Sequence, residues 1–166
     1  MRKTIKRNAN QYDTIRAMRE SSFIGSQIPY FKNFINHHNL KNDLNSIKFI
    51  SKYIFDNVYF EPDPPSRQQI RIGTRALREG IGNCVDYSVL LSQFLINLGV
   101  GHSFAMISTE TNQPNSYNHI YVILDDYNAP IDLVIGQDQE GLNRRNRNIN
   151  LFKEVPYYYK AKLKVI

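Results

Sequence analysis

The sequence predicts an α+β domain, with helices packed on one face of an antiparallel sheet. Three observations carry this. Apolar residues recur at helical spacing in several segments before Gly99, as in Leu44, Ile47, Ile50, Ile54 and Phe55. After Gly99 the pattern changes to short β-branched and alternating segments bounded by turn residues. Helices followed by a run of strands, rather than alternating with them, segregate the helices to one face of the sheet.

At 166 residues the chain is long enough to bury one sizeable core. In "QYDTIRAMRESS" Tyr12, Ile15, Met18 and Arg19 stand at helical spacing and predict a short helix. "SFIGSQIPYF" carries Gly25 and Pro29 and reads as irregular. "NDLNSIKFISKYIFDNVYF" is a stronger helix, capped by Asn42 or Asp43. "EPDPPS" ends it, because each proline removes a donor and biases the preceding residue away from helix. Residues 68–79 read as a loop and a short helix. "VGHSFAMIST" is a strand with Phe104 and Met106 on one face and Ala105 and Ile107 on the other. "NHIYVIL" and "IDLVI" are the next two strands. "YYKAKLKVI" alternates lysines with Tyr159, Ala161, Leu163 and Val165, as a half-solvated strand at a sheet edge does.

"REGIGNCVDYSVLLSQFLINLG" holds the one cysteine, Cys84. Tyr87, Leu90, Leu91, Phe94, Leu95 and Leu98 form a continuous apolar face. Gly99 suits the left-handed position that ends such a helix. Asn83 is a good N-cap, and Asp86 stands where a capping-box partner belongs. Cys84 therefore falls at the first helical position. The positive end of the helix dipole and its unpaired N–H groups favour thiolate over thiol there. The same groups can stabilise an oxyanion on an attacked carbonyl. Gly80 and Gly82 leave room for a substrate backbone. A lone cysteine is also a common small apolar core residue, so position by itself leaves two readings open.

A thiol nucleophile needs a histidine. His37 and His38 lie at a helix end without an acidic companion on a neighbouring strand. His102 follows the far end of the cysteine helix, which at fifteen residues is roughly 22 Å long. His119 opens a strand, and Asp132 lies on the next. Direct pairing of the two requires a two-residue turn at Asp125–Asp126. That register sets Tyr121 opposite Pro130 and Ile123 opposite Asn128. A wider turn centred on Tyr127–Asn128 displaces Asp132 from His119, and the sequence leaves both registers open.

In these segments the chain resembles the transglutaminase-like superfamily, the circularly permuted relatives of papain-type cysteine peptidases. The matching elements are "GIGNCVDYSVLLSQFLINLGV", "NHIYVIL" and "APIDLVI", in the family order Cys, His, Asp. "YIFDNVYFEPDPPSRQQI" is similar to the family's upstream helix and its exit. The likeness spans roughly residues 43–135 and is nearest to compact single-domain versions encoded by bacteria and their phages. It implies a papain-like core, assigned to residues 41–166; residues 1–40, which have no match to the family, read as an irregular basic extension. The likeness implies a Cys84–His119–Asp132 triad that forms a thioester from a protein or peptide amide, then hydrolyses, deamidates or transamidates it. Gln68, Gln69, Gly82, Asn83 and Tyr121 are the expected substrate and oxyanion residues, Tyr121 standing where family members often have Trp. Neither a metal nor a cofactor is expected.

Composition narrows the alternatives. One cysteine excludes an internal disulfide, which suits a reducing compartment. No run of about 18 apolar residues predicts a membrane span, and the basic N-terminus lacks the apolar core of a signal peptide. The expected location is the cytoplasm, or a virion if the chain is phage-encoded. The net charge of +6 is concentrated at Arg2, Lys3, Lys6 and Arg7, at Arg144, Arg145 and Arg147, and in the C-terminal lysines. Such clusters attract polyanions including nucleic acid, but are more often solvated surface. The contrasting function is a non-catalytic structural or adaptor component of a phage particle or other assembly, contacting its partners through the basic N-terminal arm.

Overall fold

A computed structural model of the chain describes residues 2–4, 10–64, 69–108, 117–134, 150–151 and 159–166. Five helices and a five-stranded antiparallel sheet make up most of the described residues, a mixed helix-and-sheet architecture. The helices are α1 (Gln11–Ser26), α2 (Pro29–His37), α3 (Leu44–Asn57), α4 (Gly73–Glu79) and α5 (Cys84–Leu98). The sheet comprises β5 (His102–Ser108), β6 (His119–Leu124), β7 (Ala129–Asp132), β8 (Asn150–Leu151) and β9 (Tyr159–Lys164), in the order β8-β7-β6-β5-β9. Two small pairs complete it. β1 (Arg2–Thr4) runs antiparallel to β3 (Gln69–Arg71), and β2 (Tyr59–Phe60) runs parallel to β4 (Ile81–Gly82).

α5 is the centre of the molecule. The apolar face anticipated from its sequence is there, but every residue from Val85 to Leu95 is buried, including Ser88, Ser92 and Gln93. The reason is that α1, α2, α3 and α4 pack around it while the sheet covers the remaining side. Met18, Phe31, Ile47, Ile50 and Ile54 meet Leu90, Leu91 and Phe94 from the helical side. Phe104, Met106, Val122, Leu124 and Ile131 meet them from the sheet. The Phe31 and Phe94 rings pack edge to face at 4.9 Å, a favoured aromatic geometry. Ala105, Ile107, Tyr121 and Ile123 form a second buried cluster, as the strand alternation requires.

Two stretches differ from their sequence reading. "SFIGSQIPYF" is helical apart from Gln27 and Ile28, because α1 runs through Gly25 to Ser26 and Pro29 opens α2 at its first position. Gly25 costs α1 some propensity but permits the closest approach to α5. A Cβ there would lie 2.0 Å from Gln93 Nε2. Gln93 in turn joins three helices, donating to the Ser21 carbonyl at 3.1 Å and accepting from the Gly73 N–H at 3.0 Å. Residues 11–37, read as part of an irregular extension, thus form two helices packed on α5.

The second difference is the register of β6 and β7. Leu124 pairs with Ala129, Ile123 with Pro130 and Val122 with Ile131. The connection is a four-residue turn over Asp125–Asn128, with Asn128 at φ 44°, a left-handed conformation that Asn tolerates. Asp125 is anchored there, accepting from the Ser103 hydroxyl at 2.7 Å and donating its N–H to the Gly101 carbonyl at 3.0 Å. The two-residue turn is therefore not formed, and the strands are offset by two residues from the direct His119–Asp132 pairing.

Candidate functional site

The N-terminus of α5 is built as its sequence indicates. The Asn83 side chain accepts from the N–H groups of Val85 at 3.0 Å and Asp86 at 3.1 Å. The Asp86 carboxylate accepts from the Asn83 N–H at 3.1 Å, closing the capping box. The Tyr87 N–H bonds the Asn83 carbonyl at 3.0 Å. Among these groups and the described residues, the Cys84 N–H alone has no acceptor.

The offset register still brings His119 and Asp132 together. Asp132 lies diagonally across from His119 rather than opposite it, a separation that long side chains span on one face of a sheet. His119 Nε2 is 2.5 Å from Asp132 Oδ2. The Asp132 side chain is almost wholly enclosed, and its other oxygen accepts from the Val134 N–H at 3.1 Å. Cys84 borders the same cleft as His119 and adds to the electrostatic pull on its ring. Burial alone would lower the His119 pKa, but Asp132 and Cys84 outweigh it and raise the value to about 10. The Asp132 carboxylate thus favours the imidazolium form of a ring that lines the same cleft as Cys84.

Cys84 and His119 open onto a cleft of about 180 Å³. Val85, Met106, Ile120 and Tyr117 supply its apolar lining, and Asn118 borders it beside His119. Its remaining wall is the start of α1, contributed by Asn10, Gln11 and Thr14. The Asn10 oxygen is committed to the α1 cap, and the Thr14 hydroxyl reaches back to the Asn10 carbonyl. Gln11 is half-buried, and its carboxamide has no partner among the described residues. Tyr12 packs edge-on against Tyr117 at 6.4 Å and ties the α1 wall to the segment leading into His119. A second hollow, between Cys84, Tyr121 and Asp132, measures only about 10 Å³ and admits no side chain.

The other anticipated site residues lie elsewhere or act differently. Gln68 and the Arg144, Arg145 and Arg147 cluster lie outside the described residues. Gln69 is buried in β3, where its N–H bonds Asp63 at 2.8 Å, and it does not line the cleft. Gly82 is buried in β4. Its missing side chain makes room for Asp86, whose Cβ would lie 2.9 Å from an added Cβ. Tyr121 is buried with its ring 6.1 Å from that of His119, and Lys160 Nζ lies 5.8 Å from the centre of the Tyr121 ring. His102 lies remote from the cleft. It is fully buried, bonded to the Ser92 hydroxyl at 2.7 Å and the Val100 carbonyl at 2.8 Å, and burial lowers its pKa.

Gln11 and Thr14 line the cleft without any signal in the sequence. Nothing in a short amphipathic helix signals that its first turn borders a cysteine more than seventy positions away. No cluster of metal-ligating side chains occurs among the described residues, and no described helix is long and apolar enough to cross a membrane.

No model of a known protein family matches the chain, and no curated protein matches it. Among solved structures it is similar to a protein from Parabacteroides distasonis described as a "putative protease". The TM-score is 0.52 at 16% sequence identity, over 72% of this chain. The chain spans only 24% of that protein's length. At this identity the likeness is one of fold.

Proposed function

We propose that the chain is a transglutaminase-like thiol enzyme with a papain-like core, acting on protein or peptide amides. The observation that carries the reading is the placement of His119. It is bonded to Asp132 at 2.5 Å and lines one open cleft together with Cys84. A buried structural cysteine would need neither a charged histidine nor access to a cleft. A nucleophile and a base at one cleft, with a carboxylate holding the base, are the arrangement that acyl transfer through a thioester requires.

In the proposed reaction the Cys84 sulfur attacks the carbonyl carbon of the substrate amide. The oxyanion that forms is held by the Cys84 N–H, which the cap leaves unpaired, and by the Gln11 carboxamide across the cleft. His119 gives its proton to the departing amine as the C–N bond breaks, leaving a thioester on Cys84. Water or a second amine then attacks the thioester carbonyl. His119 takes the attacker's proton, and the C–S bond breaks to restore the sulfur. Asp132 keeps the imidazole oriented throughout. The cleft volume suits a single side chain, so specificity lies with the lining residues and with whatever flanks them.

The experiment is to incubate the protein with a peptide library, with and without a primary amine such as cadaverine, and to analyse Cys84 and the peptides by mass spectrometry. A peptide acyl group on Cys84 is expected, with amine incorporated into the peptide if the enzyme transamidates, or water if it hydrolyses. A protein that never carries an acyl group under either condition contradicts the proposal.

A further inference from the structure

Beneath the Cys84 turn lies a charged cluster that the proposed reaction does not use. Asp86, two residues after Cys84, is completely buried. Beyond the Asn83 N–H it accepts from the Arg71 N–H at 2.7 Å and from Arg71 Nη1 at 2.5 Å. Arg71 is itself buried. Its guanidinium also meets Glu79 at 3.2 Å and Asp63 at 3.7 Å, while Arg75 holds the other Glu79 oxygen at 2.5 Å. Burial pushes the Asp86 carboxyl up and pulls the Arg71 guanidinium down, but Asp86, Asp63 and Glu79 together leave Arg71 above its usual value.

Such a pair is a poor way to stabilise a fold. Desolvating two charges offsets most of their attraction, and apolar residues of similar volume often serve as well or better. A buried pair is better suited to fixing one geometry. This pair grips both ends of one turn. β3 holds Asp86 from below by backbone and side chain together, and Asp86 holds the Asn83 N–H. β4 fixes the approach, with the Glu61 N–H on the Gly82 carbonyl at 2.9 Å. Gly82 lets Asp86 sit directly against the turn.

We propose that the Arg71–Asp86 ion pair is a positioning device for the Cys84 turn. It locks the Asn83 cap so that, of the first-turn N–H groups of α5, the Cys84 N–H alone stays free for a substrate carbonyl. This rests on the reading of Cys84 as the nucleophile. Arg71 and Asp86 touch no substrate. They act through the cap, on the oxyanion and not on the sulfur.

Two reagents separate these effects. p-Nitrophenyl acetate acylates a thiol through a tetrahedral oxyanion, whereas iodoacetamide alkylates by displacement and forms none. The paired apolar variant Arg71→Met/Asp86→Leu removes both charges at once. It is expected to melt below wild type, because the buried Arg71 and Asn83 N–H groups lose their acceptor, yet to be alkylated at Cys84 within threefold of the wild-type rate while folded. Its acylation should be at least tenfold slower, with the loss in the maximal acylation rate and not in the reagent's half-saturation. Arg71→Lys keeps the cation but cannot reproduce the guanidinium fork. It is expected to show the same split more weakly, and it decides the matter if the paired variant does not fold. Acylation at the wild-type rate in a folded variant overturns the proposal, as does a loss of acylation and alkylation by the same factor. Failure of the wild-type protein to be acylated at Cys84 at all instead overturns the reading of Cys84 as nucleophile.

Discussion

Replacing Gly25 by alanine sets two effects against each other. In an exposed helix interior the change would stabilise by about 1 kcal/mol, through backbone entropy. At Gly25 the added methyl would lie 2.0 Å from Gln93 Nε2 and 2.6 Å from Gln93 Cδ. Gln93 cannot swing into solvent, because it is wholly buried and tied at both ends of its carboxamide, to Ser21 and to Gly73. Displacing it leaves the Gly73 N–H and the Gln93 amide short of partners, at roughly 1–3 kcal/mol each. If α1 moves away instead, overpacking costs about the same. The expected net loss is about 3 kcal/mol, or roughly 6–12 °C in a protein of this size. Urea unfolding followed by circular dichroism measures it. A double-mutant cycle with Gln93→Ala, which vacates the space, should recover about 1–2 kcal/mol as coupling. A Gly25→Ala protein as stable as wild type, or more so, would refute the packing of α1 on α5 described above, and with it the α1 wall of the cleft.

The remaining expectations concern the site. Asp132→Asn removes the carboxylate that holds His119 and is expected to slow acyl transfer by about 10²-fold, the lower end of what positioned acid–base groups supply, as read with p-nitrophenyl acetate. Gln11→Ala is expected to slow the same reaction by about 10²-fold, as loss of one oxyanion donor does, while iodoacetamide alkylation of Cys84 stays within a fewfold of wild type. The His119 pKa is raised in the folded chain to about 10 from an ordinary 6.5, so the folded state binds the proton more tightly. Its contribution to stability is fully present below about pH 6.5 and is lost as pH rises toward 10. Urea midpoints measured across that range should fall in wild type and fall less in Asp132→Asn.

The helix carrying Cys84 was legible to the residue, because its signals are local. Asn83 caps it, Asp86 closes the box and Gly99 ends it at φ 70°. The faces of β5 followed from alternation, and the lysines of β9 matched its edge position. The β6–β7 register was not legible. Asp125, Asp126 and Asn128 all tolerate turn conformations, and what selects the four-residue turn is the bonding of Asp125 to Ser103 and Gly101 on another strand. His119 and Asp132 meet despite the offset, because a diagonal pair on one face is within side-chain reach. Gly25 looked like a helix breaker because the residue that needs its missing side chain, Gln93, is 68 positions away. Gln11 was invisible for the same reason. Asp86 was read as half of a capping box, and its second role depends on Arg71, which local pattern does not connect to it.

The central claim is that His119 activates Cys84, and the most direct measurement is the rate of Cys84 alkylation by iodoacetamide from pH 5 to 9, in wild type and in His119→Ala. Wild type is expected to react readily at pH 6, where His119→Ala has slowed at least about tenfold, with the two rates converging toward pH 9 as an unassisted thiol ionises. Superimposable profiles across the whole range would contradict it and leave Cys84 an ordinary cysteine beside an ordinary histidine–aspartate pair.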